Sequence, residues 1–164
     1  MLKWILLILA LVGLDQVTKA LVVANFAAEG DSLAVIQDFF HITYVRNSGV
    51  VFGLFEGLAE NYIVFLVIIG IALTIFSVMF IKNDFKDKKT FWYTLGLTLL
   101  IAGALGNAID RIFQYDHNVV DMIDFRGIWH FIFNVADICL NVGIGIFIID
   151  QFFLEPKRTK KTNG

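Results

Sequence analysis

The chain has 164 residues, of which 58% are hydrophobic, with a mean hydropathy of +0.75, a single proline and a formal net charge of -2. That balance excludes a soluble globular domain, in which apolar residues make up only about half of the chain, and it points to a multi-span membrane protein with no nucleic-acid partner. The one cysteine, Cys139, rules out an internal disulfide framework and a cysteine metal cluster.

The first apolar stretch, Leu2 to Val23, is long enough as a helix to cross a hydrocarbon core of about 30 Å. Lys3 ahead of an apolar run, with small residues at Ala24 and Ala27, imitates a cleavable signal peptide. Asp15 and Lys19 interrupt that run, and a secretory apolar segment does not tolerate them, so a retained span is expected. The two lie four positions apart on one helix face, where an ion pair lowers the cost of burying either.

The next loop, Asn25 to Asn61, is too long at about 37 residues to be structureless in a compact protein. Its β-branched and aromatic residues predict short strands at Ser32 to Ile36 and at Phe40 to Val45, ending in a turn at Arg46-Asn47-Ser48-Gly49. Val50 to Ala59 reads either as an amphipathic lip lying in the membrane interface or as an ordinary lead-in to the second span.

The second span, Tyr62 to Ile81, carries no charge. In the third, Phe91 to Phe113, the residues Gly103, Asn107 and Asp110 fall at i, i+4 and i+7, with Gly106 beside them. Glycines admit a close helix neighbour, across which the amide and the carboxylate can hydrogen-bond. Arg111, at the outer end, is placed to reach a carboxylate or a lipid phosphate. A polar loop from Gln114 to Asn134 follows, and Val135 to Leu154 is the fourth span. Asn134 is a natural cap for that helix, which puts Asp137 in the first turn, where the helix dipole favours a carboxylate. Cys139, one turn in, reads as a buried, inert thiol.

Orientation follows from the basic residues. Lys3, then Lys82, Lys86, Lys88 and Lys89, then Lys157, Arg158, Lys160 and Lys161 mark both termini and the middle loop as cytoplasmic. The other two connections carry only Arg46 and Arg126 and face outward. The expected architecture is therefore one all-α membrane domain over residues 1–164, with four transmembrane helices, a small extracytoplasmic β-containing loop and an interfacial helix.

Several chemistries are excluded. Ser32, Ser48 and Ser77 lie in no nucleophile motif, and His41, His117 and His130 are scattered, which reads as loop or interface positions rather than zinc ligands. No metal or organic cofactor is expected. Two carboxylates at a bilayer boundary, Asp121 and Asp137, remain, and each costs a few kcal/mol unless it has a role. Close together they cannot both ionise, so one keeps a proton for a scissile carbonyl while the other takes a proton from attacking water. Asp121, away from the helix dipole, is the expected holder of the resting proton.

As a set, these residues resemble the lipoprotein signal peptidases, or type II signal peptidases, over nearly the whole chain. Asp15-Gln16-Val17-Thr18-Lys19 resembles the family's first-span motif, Arg46 to Gly53 its outer-loop motif and Gly106 to Arg111 its third-span motif. Val119-Val120-Asp121 and Phe133-Asn134-Val135-Ala136-Asp137 are similar to the two segments that carry its aspartates. The resemblance implies an aspartic endopeptidase of the bacterial inner membrane that cleaves diacylglyceryl-modified prolipoproteins just before the lipidated cysteine. It implies Asp121 and Asp137 as the dyad, Asn47, Asn107, Arg111 and Asn134 as groups orienting substrate or dyad, and Asp15, Lys19, Arg46, Gly49, Gly106, Asp110 and Ala136 as support. It further implies a monomer in contact with membrane lipids and inhibited by cyclic peptide antibiotics such as globomycin.

Two other readings compete. Asp15, Lys19, Asp110 and Arg111 would line an ion path in a small transporter or channel component, although the spans show no inverted repeat. A non-enzymatic assembly factor would use the Gly103 and Gly106 face for helix pairing and leave the acids unexplained.

Overall fold

The computed structural model describes residues 1–49 and 62–156. The apolar stretches are helical throughout: α1 (Leu2–Asn25), α2 (Tyr62–Ile81), α3 (Phe91–Phe113) and α4 (Val135–Ile149), the last continued by a π-helical turn at Asp150–Leu154. All four are long and apolar enough to cross a membrane. The expected lip at Val50 to Ala59 lies outside the described residues.

The central element is α3, which packs against each of the other three helices. Its buried threonines are satisfied within the helix as donors, since Thr94 and Thr98 each donate to the carbonyl one turn back at 2.7 Å, and Thr94 also accepts from the Asn83 amide. Two glycines permit the closest packing: a Cβ at Gly103 would lie 2.4 Å from the Ala136 carbonyl oxygen, and, nearer the C-terminal end, one at Gly106 would lie 2.6 Å from Asp15 Oδ2 and 2.9 Å from the Ala136 Cβ. Only glycine lets α1, α3 and α4 meet there. At the other end Trp4 and Ile8 of α1, Phe80 of α2 and Leu97 and Ile101 of α3 form the main apolar cluster. On α2 only Phe80 is buried, while Ile63, Val67, Ile68, Ile71 and Ile75 are exposed. A helix apolar all round with its side chains uncovered has lipid as its natural solvent.

Between α1 and α2 lie β1 (Ser32–Ile36) and β2 (Phe40–Asn47), an antiparallel pair with Ser32 opposite Thr43 and Ala34 opposite His41. The stretch from Gln114 to Asn134 is not only a polar loop: it contains a third strand, β3 (Val119–Phe125), antiparallel to β2 and completing the order β1-β2-β3. Two acids among the apolar residues of Val-Val-Asp-Met-Ile-Asp-Phe disguise its β character, although β2 needed a partner on its free edge. His41, expected in a loop or at the interface, is buried within β2 opposite Asp124. The sheet is pinned to the helices by Val120 and Met122, which pack on Val22 near the end of α1. Backbone bonds from Met122 and Ile123 to the Phe133 carbonyl, at 3.0 and 2.7 Å, then carry the chain from β3 to the start of α4.

Candidate active site

That crossing of β3 with the start of α4 brings Asp121 and Asp137 into one network. Asp121 is on β3 and only 1% exposed. Asp137 is in the first turn of α4, where Asn134 Oδ1 accepts its backbone N–H at 2.8 Å and the Asn134 N–H donates back to Asp137 Oδ2 at 3.2 Å. The reciprocal pair is a capping box. Because its oxygen faces that N–H, the amide nitrogen of Asn134 points the other way and donates to Asp121 Oδ1 at 2.7 Å. One asparagine therefore touches both acids.

Three further elements complete the arrangement. Asn107 on α3 donates to Asp137 Oδ1 at 2.8 Å, and its oxygen accepts from Asn134 and from Lys19. Asn47, the last residue of β2, donates to Asp121 Oδ2 at 2.8 Å and accepts the Gly49 N–H at 2.7 Å. Gly49 has φ +96°, and a Cβ there would press on Phe65 Cζ at 2.8 Å, so the turn admits no side chain.

Beneath the acids lies a fully buried ionic layer. The Lys19 ammonium has three donors and three acceptors, Asp15 at 2.9 Å, Asp110 at 3.0 Å and Asn107 at 3.1 Å. Asp15 also accepts the Ala136 N–H at 2.9 Å, taking one of the unpaired donors at the start of α4. Asp110 accepts the Val120 N–H at 3.0 Å, which fixes β3 one residue before Asp121. Gln16, not singled out in the sequence, donates to Asp15, Asp110 and the Gly106 carbonyl at 3.0–3.1 Å. Its place inside the Asp15 to Lys19 motif was the available signal.

Arg111 departs from the simplest expectation. Among the described residues its guanidinium makes no ion pair with a carboxylate; it lies over the Phe65 ring, 5.1 Å from the centroid, and beside Gly49. Successive helix residues point about 100° apart, so with Asp110 turned into the ionic layer Arg111 faces the Phe65 side. Arg46 is engaged by Asp116, to which it forms a two-pronged ion pair, and by Gln114 Oε1 at 3.2 Å. That pair raises the Arg46 guanidinium above its ordinary value; burial works to raise the Asp116 carboxyl, but the Arg46 hydrogen bonds and a backbone donor leave it below the usual range. No motif in the sequence pointed to Asp116.

Burial, and after it the neighbouring charge of Asp137, pushes the Asp121 carboxyl up to about 7, against the opposing pull of the Asn47 and Asn134 amides and Lys19. A carboxyl of that kind holds or releases a proton near neutrality, which is what general acid catalysis requires. Among the described residues no group of three or more His, Cys, Asp or Glu side chains is placed to hold a metal ion. Cys139 is buried within α4.

Comparison with known proteins gives the family. The chain is 42% identical over 158 residues to a lipoprotein signal peptidase of Fusobacterium nucleatum subsp. nucleatum, covering 96% of this chain and 91% of that one. It is 38% identical over 154 residues to a lipoprotein signal peptidase of Clostridioides difficile, covering 94% and 97%. A bacterial membrane enzyme solved by the in meso method at 2.3 Å resolution superposes with a TM-score of 0.78 at 35% identity, over 92% of this chain and 88% of that one. A second, at 1.9 Å, gives 0.71 at 34% identity, over 93% and 94%. With residues 7–153 matching the family model for signal peptidase (SPase) II, and with four helices able to span a bilayer, the chain belongs to the signal peptidase II family and is a multi-pass membrane enzyme.

Proposed function

We propose that the protein cleaves signal peptides from diacylglyceryl-modified prolipoproteins, immediately before the lipidated cysteine, with water activated between Asp121 and Asp137. The observation that carries this reading is the single Asn134 side chain hydrogen-bonded to Asp121 while its backbone and oxygen hold Asp137. Asp121 carries the resting proton, in keeping with a carboxyl raised to about 7. The Asp137 carboxylate withdraws a proton from water as the water oxygen attacks the carbonyl carbon, and Asp121 gives its own proton to the carbonyl oxygen, forming a gem-diol. Asp137 then passes its proton to the amide nitrogen as the C–N bond breaks, while Asp121 recovers one from the gem-diol. No covalent enzyme intermediate forms.

Asn47, Asn107 and Asn134 hold the two carboxyls in register, and Arg111, without a carboxylate partner among the described residues, is free to meet a substrate carbonyl. Asp15, Lys19, Asp110, Gly106 and Ala136 are the support beneath them, and Arg46 and Gly49 support the turn that carries Asn47. The reaction takes place at the outer face of the bacterial inner membrane, in a monomer whose termini and middle loop are cytoplasmic and whose segments 25–61 and 114–134 face outward. The acyl chains of the substrate stay in lipid, and a cyclic peptide antibiotic such as globomycin occupies the same cleft. A transporter reading loses its basis, since Asp15, Lys19 and Asp110 are bonded to one another and to backbone.

The test is cleavage of a lipidated precursor in detergent. Asp121→Asn and Asp137→Asn are each expected to lower the rate by about 10³-fold or more, because each removes a proton carrier with little change of shape. Precursor binding should survive in both. Full activity in either variant refutes the dyad.

A further inference from the structure

At the opposite end of the bundle from Asp121 there is a second feature that the reaction does not use. A cavity of about 250 Å³ opens between the N-terminal ends of α1 and α3 and the loop that joins α2 to α3. It lies about 20 Å from Asn107, counting the helical rise from Thr94 along α3. Its lining combines three aromatic residues, Trp4, Phe85 and Phe91, with the two lysines Lys3 and Lys86.

The polar groups of this wall divide into two kinds. The threonine hydroxyls are already donating, Thr90 to the carbonyls of Asp84 and Asp87 at 2.9 Å and Thr94 to that of Thr90 at 2.7 Å. Asp87, the one acid in the wall, turns its Oδ1 onto the Lys89 N–H at 2.8 Å. The ammonium groups of Lys3 and Lys86 have no carboxylate partner among the described residues; Lys3 lies 5.1 Å from the centroid of the Trp4 ring. Two cations without a carboxylate partner among the described residues, in a lining that also holds three aromatic side chains, fit a ligand that is anionic at one end and apolar beyond it. Leu2, Phe91 and Trp92 are exposed around the same helix ends, where a bilayer places its headgroup boundary.

We infer that this cavity binds the phosphate headgroup of an anionic phospholipid, in the leaflet away from the dyad, with the phosphate between Lys3 and Lys86 and the glycerol and first methylenes against Trp4 and Phe91. A free phosphate would satisfy the lysines but leave the aromatic wall uncovered, so the lipid is the better match. Binding there ties the start of α1 to the start of α3, the two helices that meet again under the active site.

Native mass spectrometry of the detergent-purified full chain tests this, with phosphatidylglycerol, phosphatidylcholine and glycerol phosphate as separate probes. Phosphatidylglycerol should be retained at least tenfold better than phosphatidylcholine, and glycerol phosphate should not be retained. The double variant Lys3→Gln, Lys86→Gln should lose that preference, at about fivefold for each lysine. The control Lys82→Gln, Lys89→Gln removes equal charge from the same loop without touching the wall and should keep it. Equal retention of the two lipids overturns the inference, as does equal loss in the control, which would make the attraction diffuse. Retention of glycerol phosphate as strong as that of phosphatidylglycerol would overturn the lipid assignment. Precursor cleavage should persist in both double variants, which establishes that they are folded.

Discussion

Asn134 satisfies two carboxyls at once because a capping asparagine has an oxygen committed to the helix and an amide left over. Asn134→Ala should therefore lower the cleavage rate and also loosen the first turn of α4, by about 1 kcal/mol for the lost cap. The Asn47 amide acts on Asp121 alone and favours its charged form, so Asn47→Ala should move the Asp121 titration upward from about 7. If the protonated form of Asp121 is the active one, wild-type kcat/KM falls as pH rises through about 7, and the Asn47→Ala variant should show that alkaline limb at higher pH with a lower maximum. An unmoved limb would detach it from Asp121. The same carboxyl affects stability. Its folded value, about 7, stands above the ordinary unfolded value near 4, so its contribution is fully present below about pH 4 and is lost as pH rises through about 7, on the order of 4 kcal/mol. Asp121→Asn should have a shallower decline of thermal stability across that window, read by unfolding at pH 4, 5.5 and 7.

At the scale of elements, the site exists because α1, α3 and α4 approach within contact distance at Gly106 and because β3 is tied to α3 through Asp110. Gly106→Ala should cost about 1–3 kcal/mol, since the new methyl meets Asp15 Oδ2 and the Ala136 Cβ, and it should lower activity by displacing Lys19 and Asn107. The Arg46–Asp116 pair acts further out, locking the end of β2 to the loop after α3 so that Asn47 stays against Asp121. Asp116→Asn should lower kcat more than it raises KM, and Asp116→Glu should restore part of the loss; a change in KM alone would mean that the pair has no hold on Asn47. Much of this was legible beforehand. Apolar runs of about 20 residues and the i, i+4 spacing of Asp15 and Lys19 led directly to helices and a buried ion pair. The strand β3 was not, because alternation needs a partner strand to give it meaning and that partner is more than 70 residues away. Gln16 and Asp116 were missed for a related reason: their partners come from other elements, and no local pattern encodes them.

For the molecule as a whole, the lipid-facing α2 and the buried α3 leave one question of direction, namely which end of the bundle carries the acids. On the proposed orientation the lysine-rich ends, between α2 and α3 and beyond α4, are cytoplasmic, and the sheet and the start of α4, which carry few basic residues, face outward. A bound lipoprotein precursor, exported with its acyl chains in the outer leaflet, would meet the dyad only in that orientation. Single thiols decide it. Gln37→Cys sits in the exposed turn between β1 and β2, and Asp84→Cys sits in the exposed loop before α3, while the native Cys139 is buried and should stay silent. On intact spheroplasts a membrane-impermeant maleimide should label the first and not the second; after permeabilisation it should label both. The reverse pattern would turn the bundle over, put Asp121 and Asp137 on the cytoplasmic side, and leave the proposed substrate on the wrong face of the membrane.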